Sequence, residues 1–323
     1  MKLFLTAALV LHLSALPAQP PKPELNQFFP IDKGHSYVEF SIKYMGAAKV
    51  KGRFADFSGL IYYNEKDITR TSASLVIKTE SIDTDLDFRD NDLKSDNWLD
   101  AAKFPTILFQ SKKAVKTAGG FDVTGDITIK GMTKEIILHM DAPSPMMKDA
   151  RADLQVVFTG TARLDRTTFG VEGKNWSAVR EGITAVENEV SIELSMLGKQ
   201  FQQANFSNRV RSEERPAGKI YKIVQTQGVE AGIAEFNKTS TAMDAAVLDT
   251  VGKMLRLEGK GNDALAIFEM NRKTFPGEVQ VYLSLGESYL QTGDLGRAKE
   301  KFSEALQKDP QSIAAMEYLR HLN

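Results

Sequence analysis

The hydrophobic pattern of this chain changes period once, near residue 198, and that change limits what the chain can fold into. From about Ile31 to Leu197 apolar and polar residues alternate with period two, as in half-buried strands. The stretch YVEFSIKYM (37–45) sets Val38, Phe40 and Ile42 on one face and Tyr37, Glu39, Ser41 and Lys43 on the other. ASLVIKT, TILFQS, FDVTGDITIKG, TKEIILHM, ADLQVVFTGTARL and ENEVSIELSM follow the same pattern, with Gly46, Gly59, Gly119, Gly120 and Gly131 at turns. So many antiparallel strands predict a sandwich or a closed barrel, closure being the arrangement that removes exposed edges.

Past a polar connector the period becomes helical. Gly252, Ala264, Phe268 and Pro276 recur as Gly286, Ala298, Phe302 and Pro310, each 34 positions on, the length of a tetratricopeptide unit. In the second copy Tyr282, Leu285, Tyr289 and Ala305 also fit that motif, in which small residues let two helices touch and large ones fill the groove. The first copy, with Leu248, Val251 and Leu255, has Asn271 where the motif takes alanine. GVEAGIAEF (228–236) reads as part of a preceding unit and IAAMEYLRHL (313–322) as a closing helix. About three units make a short solenoid, the least expected to be stable.

One stretch interrupts the strands. In SIDTDLDFRDNDLKSDNWLDAAKFP (81–105), Asp83, Asp85 and Asp87 take alternate positions as in an EF-hand calcium loop, but Phe88 stands where that loop needs glycine and Lys94 where it needs glutamate. A phenylalanine resists the required turn and a lysine repels the cation, so no metal is expected. The segment instead predicts short helical turns, capped by Asp90 and Ser95, with Leu93, Trp98, Leu99 and Ala102 facing inward and Pro105 ending the helix. Its acids are expected to be solvated faces and caps.

The 41 basic and 42 acidic residues leave no electrostatic footprint for nucleic acid. Residues 1–18, MKLFLTAALVLHLSALPA, have the charged start, apolar run and small-residue end of a secretory signal peptide. A proline-rich leader (19–30) follows, and no later segment is apolar enough to span a bilayer. With no cysteine there is neither a disulfide framework nor a lipid-modified cysteine. The expectation is a periplasmic or secreted protein stabilised by packing alone.

The residues of the first half resemble the YceI-like family of exported bacterial proteins. The resemblance is carried by Ile31-Asp32 with His35-Ser36, Gly52-Arg53-Phe54, Phe57-Ser58-Gly59, Ser81-Ile82-Asp83-Thr84, Arg89-Asp90, Leu93-Lys94-Ser95, Phe104-Pro105 and Phe109-Gln110-Ser111. Gly125-Asp126-Ile127-Thr128-Ile129-Lys130-Gly131 and Arg166-Thr167-Thr168-Phe169-Gly170 complete it. It implies a lipocalin-like β-barrel associated with polyisoprenoid or other long lipid ligands, with the acidic stretch as a helical insertion near one barrel end. Tyr44 and Asp92 depart from the family, which often has histidine at both places, so the ligand's head is expected to be held differently here. The expected architecture is a signal peptide (1–18), the leader, an antiparallel lipocalin-like β-barrel with a short helical insertion (31–198), a linker (199–218) and an all-α tetratricopeptide-like solenoid (219–323).

One face of the alternating strands collects Phe40, Ile42, Phe54, Leu75, Ile77, Phe109, Ile127, Ile129, Leu138, Val156, Phe158 and Leu194. Alternation alone makes these equally the lining of a cavity or a solid core, and the family resemblance favours a lining. Arg53, Arg89 and Arg166 are candidates for an anionic head at the barrel mouth or for loop braces. No Gly-x-Ser-x-Gly, Ser-x-x-Lys or His-Glu-x-x-His motif is present, and His35, His139 and His321 are not grouped in sequence, so neither catalysis nor a metal or other cofactor is expected. The sequence reads as a non-enzymatic carrier of a polyisoprenoid, quinone-like or similar lipid, with a helical region for docking a protein partner. The alternative is an interaction protein whose barrel is a solid scaffold.

Overall fold

The computed structural model describes residues 23–150, 152–174, 176, 179–180, 183–200, 215–239 and 244–322. The expected signal peptide, the first residues of the leader and most of the connector lie outside the described residues.

The first half is built from β1 (Phe28–Pro30), β2 (Tyr37–Tyr44), β3 (Ala48–Phe54), β4 (Phe57–Tyr62), β5 (Ser72–Lys78), β6 (Ile82–Asp83) and the helix α1 (Asp87–Lys94). These are followed by β7 (Thr106–Lys116), β8 (Gly120–Ile129), β9 (Met132–Asp141), β10 (Met147–Lys148), β11 (Leu154–Asp165), β12 (Val179–Arg180), β13 (Ile183–Thr184) and β14 (Val186–Gln200). Strand β8 shows how alternation produces the sheet: Phe121, Val123, Ile127 and Ile129 are buried, and the polar residues between them are half exposed. The antiparallel ladder runs β1–β4–β5–β7–β8–β9–β11–β14–β2–β3–β6.

Pairing of β14 with β2 through Leu194–Val38 and Ile192–Phe40 brings the first and last long strands together, and Ile31, just past β1, bridges Gly198. The expected closed barrel is therefore a curled sheet with two loose seams. Strands β9 and β11 pair only at Met140–Gly160 and His139–Thr161; beyond these pairs the turn Arg166–Phe169 packs against β9, with Phe169 buried. At the other seam the chain turns after β3 onto β4, which ladders with β5 and not with β3. Backbone bonds from Ala55 N to Ser81 O (2.9 Å) and Lys78 N to Asp56 O (2.8 Å) stitch that corner.

The barrel also starts earlier than its expected boundary at Ile31. Phe28 and Phe29, inside the expected leader, form β1 and are buried on its opposite faces. Phe29 joins the interior of the sheet, whereas Phe28 joins the core of the helical region.

That region comprises α2 (Pro216–Gln227), α3 (Val229–Thr239), α4 (Ala245–Leu257), α5 (Gly261–Thr274), α6 (Val279–Gln291), α7 (Leu295–Lys308) and α8 (Ile313–Leu322). Pro216 begins α2, and Asp244 and Asp294 cap α4 and α7 through the amides of Ala246 and Arg297, both at 3.0 Å. The repeated glycines are close approaches between paired helices. A Cβ on Gly252 would lie 2.5 Å from the Phe268 ring, and one on Gly286 would lie 2.5 Å from the Phe302 ring. Asn271, the departure in the first copy, is buried and donates to Ala245 O at 2.9 Å, leaving its Oδ1 without a partner.

Helix α8 packs against the outer face of β4 and β5. Leu60 and Tyr62 of β4 belong to the same core as the helices, while Ile61 between them points into the sheet. A strand covered on both faces reads as an unbroken apolar run, which is how Leu60-Ile61-Tyr62-Tyr63 stands in the sequence.

Candidate functional site

Inward side chains of the curled sheet enclose a chamber of about 590 Å³ at the end covered by α1. Of the twelve residues expected to line the interior, Phe40, Ile42, Phe54, Ile77, Ile127 and Ile129 lie along this chamber. Leu75, Phe109, Leu138, Phe158 and Leu194 do not: they surround a void of about 70 Å³ at the other end, and Val156 is buried in packed core. That end is filled because its aromatic side chains meet, as Tyr63 and Phe158 do edge to face at 5.3 Å. The interior is thus half filled and half open.

The acidic insertion supplies one wall. Leu93, Trp98 and Leu99 line the chamber, but Ala102 is exposed and Ala101 is buried in its place. Asp100 adopts φ +51 and breaks the helical phase assumed for that stripe. Asp90 is no cap; it lies buried within α1 and accepts from the Thr84 amide at 2.9 Å. Asp92 is no solvated face either, since it lines the chamber and accepts from Trp98 Nε1 (2.8 Å), Asn97 Nδ2 (2.9 Å) and Trp176 Nε1 (3.1 Å). Tyr44, the other position where the family often has histidine, stands with its ring 6.3 Å from that of Trp176. Both departures therefore meet at one tryptophan on the rim.

The three candidate arginines separate. Arg53 lies outside the chamber and pairs with Asp83 at 2.7 Å. The Asp85 amide and that guanidinium hold the Asp83 carboxyl below the usual range. Arg166 lines the chamber but is 5% exposed and spent on the backbone, donating to the carbonyls of Glu187 (2.9 Å), Val171 (2.6 Å), Glu172 (2.7 Å) and Val186 (2.9 Å). Burial pulls its pKa down from the ordinary arginine value. Arg89 donates to the Thr84 hydroxyl (2.8 Å) and carbonyl (2.7 Å) and has no carboxylate partner among the described residues. It is the cation at the chamber with donor capacity to spare.

The histidines lie apart, each beside its own carboxylate: His35 with Asp32 (2.9 Å), His139 with Asp122 (2.9 Å) and His321 with Glu317 (3.2 Å). Among the described residues no three His, Cys, Asp or Glu groups are arranged to hold a metal ion, and no helix is long and apolar enough to cross a membrane. A wider groove of about 820 Å³ lies across the outward-alternating Glu39, Ser41, Lys49, Lys51, Arg163 and Glu193, where charged side chains stand among apolar ones such as Ile136 and Ile137.

The lining also includes Leu164, Val190, Ile192 and Phe88, which the sequence reading did not select. Val190 and Ile192 carry the same period-two signal as Leu194 and were legible. Phe88 carries no such signal, because it stands among the acidic residues of the insertion, outside any alternating strand.

The family model of the YceI-like domain matches residues 29–197. Among curated relatives, a UPF0312 protein of Vibrio parahaemolyticus is 33% identical over 138 residues, which are 42% of this chain and 72% of that protein. One from Yersinia enterocolitica is 38% identical over 113 residues, 34% of this chain and 59% of that one. Among solved structures, BcnA of Burkholderia cenocepacia aligns with a TM-score of 0.44 and 23% identity, covering 52% of this chain and 99% of that one.

Proposed function

The chain belongs to the YceI-like domain family, and we propose that it is an exported, non-enzymatic binding protein that holds an isoprenoid or similar long apolar lipid in its curled sheet. The observation that carries this reading is the chamber of about 590 Å³, bounded by Phe40, Ile42, Phe54, Ile127 and Ile129. Its size falls in the range of small-molecule sites, and its walls offer a ligand almost nothing but apolar contact. At about 30 Å³ per water-sized group it holds about 20 non-hydrogen atoms, so a tail of about four five-carbon units fills it. The rival reading of a solid scaffold fits only the end around Phe109 and Phe158.

The helical region is read as a tetratricopeptide-like solenoid with a docking role, a reading supported by the repeated Gly252–Phe268 and Gly286–Phe302 contacts. Native mass spectrometry of the chain from Gln19, purified from its own cell envelope, followed by lipid extraction, tests the main claim. A stoichiometric bound mass that fragments as isoprenoid or quinone is expected. Protein at its bare mass that also takes up no added isoprenoid overturns the claim.

A further inference from the structure

Four of the exposed large apolar side chains cluster around one opening. Met45, Leu86, Phe88 and Trp176 are 46%, 40%, 68% and 40% exposed. Phe88 and Trp176 line the chamber; Leu86 is the N-cap residue of α1, and Met45 follows the lining residue Tyr44. Trp176 joins the two sides, because its indole N–H reaches Asp92, one helical turn past Phe88, and its ring meets Tyr44. Single apolar side chains on a surface need no explanation, but a group of them rimming an apolar cavity marks a contact surface.

Charge places a second constraint on what that surface meets. Met45 sits at the tip of the β2–β3 hairpin, and behind it Lys43 and Lys49 are directly opposite each other, with Lys51 two residues further along the same face. All three are exposed, and none has a carboxylate partner among the described residues. Neighbouring like charges across a ladder repel one another, so this triplet suits an anion supplied from outside. An apolar tip with lysines one step back matches a bilayer, where the tip enters the acyl boundary and the ammonium groups stay at the phosphates.

We propose that the chamber's mouth docks on a phospholipid bilayer, with Met45, Leu86, Phe88 and Trp176 entering the interface and Lys43, Lys49 and Lys51 meeting the phosphates. A bilayer leaves the chamber open to an acyl phase, whereas a second copy seated on the same rim would seal it. Asp85 and Asp87 flank Leu86 on the α1 side, so attraction to anionic lipid is partly cancelled and apolar insertion dominates. The purpose of this docking rests on the lipid-carrier reading; the docking itself does not.

The test is co-sedimentation of the full chain with phosphatidylcholine vesicles containing phosphatidylglycerol, alongside uptake of a soluble apolar dye. The variant Met45→Asn with Leu86→Ser is chosen because neither residue lines the chamber, asparagine accepts Met45's φ of +50, and serine suits the N-cap before α1. The wild-type chain is expected to partition onto vesicles with weak salt dependence, and the double variant about tenfold less, with dye uptake unchanged. Equal partitioning of the two proteins, or none by the wild type, overturns the proposal. A concentration-dependent dimer that the variant dissolves, without vesicle binding, overturns it in favour of a second copy. Vesicle binding without dye uptake keeps the docking and removes the carrier reading.

Discussion

Glu317 on the last helix accepts a 2.6 Å hydrogen bond from Ser74 on strand β5, across 243 positions of sequence. The carboxylate is 0% exposed and also takes the Ser72 hydroxyl, with His321 at 3.2 Å and Arg320 at 3.8 Å. His321 in turn stacks on Tyr62 at 3.7 Å, and Arg320 donates to Ser111 at 3.0 Å. The helical region is thus fastened to the outer wall of the sheet by a buried polar cluster set in apolar contact.

Replacing Glu317 with alanine is expected to cost about 3 kcal/mol, because it takes a buried acceptor away from two hydroxyls, the His321 ring and the Arg320 guanidinium. Thermal or denaturant unfolding reads the loss. A change under about 0.5 kcal/mol would show that the cluster is not an attachment point.

The same carboxylate sets a pH dependence. Burial pushes its pKa up, but the His321 hydrogen bond, the Arg320 charge and the serine hydroxyls outweigh burial and leave it below the ordinary glutamate value. The unfolded chain then binds this proton more readily, so the stabilisation is complete above the ordinary glutamate value and is lost as pH falls through the lower folded value. Below the ordinary glutamate value, wild-type stability is expected to fall more steeply with pH than that of Glu317→Gln. Parallel curves in a pH series of denaturant melts would remove Glu317 from the cause.

How much of this was legible in the sequence depends on whether a signal was local. Alternation located the strands and the inward faces of β2 and β8, because a strand with one wet face must alternate. It did not separate Ile127, in the open end, from Phe109, in the filled end, since both point inward and only the meeting of distant aromatic rings decides which space is closed. Attachment of α8 was visible in retrospect as the apolar run Leu60–Tyr63 and the paired phenylalanines of β1. Its polar half was not, because Ser72 and Ser74 look like ordinary outward residues until Glu317 is set against them. Asp92 was misjudged for the same reason: its partners, Trp98 and Trp176, converge only in three dimensions.

The helix pairs make a packing prediction. Gly286→Ala places a methyl group 2.5 Å from the Phe302 ring, inside van der Waals contact, within a helix whose propensity alone would favour alanine. The clash is expected to dominate and destabilise by about 1–3 kcal/mol, measured by denaturant melts. A gain in stability would mean that the helices are not held at this distance.

Chamber volume makes a prediction about ligand length. With room for about 20 non-hydrogen atoms, affinity is expected to rise along a series of isoprenoid alcohols, by at most about 0.8 kcal/mol per carbon, and to level off near 20 carbons. Ile42→Trp, which adds bulk into the open end, is expected to lower uptake at least about tenfold while leaving the melting temperature within a few degrees. Titration calorimetry with the series distinguishes a levelling curve from one that keeps rising, and the latter would place the tail elsewhere.

Arg89 and Arg166 both face the chamber, yet their hydrogen bonds predict opposite consequences of removal. Arg166→Met strips four backbone carbonyls of their donor beneath a nearly closed surface, so a loss of about 3 kcal/mol in stability is expected whatever the ligand. Arg89→Gln removes contacts only to Thr84, one of whose hydrogen bonds the glutamine can remake, and a cost below about 1 kcal/mol is expected. If Arg89's spare donors meet a ligand head, that variant binds an isoprenyl phosphate several-fold more weakly and the matching alcohol unchanged, since a charge-assisted bond is lost in one case only. Competition of the two ligands against a bound apolar dye separates these outcomes. An equal loss for both would make Arg89 a brace like its neighbour, and would leave Glu39, Thr84, Asp92 and Tyr44 among the polar residues that a head encounters.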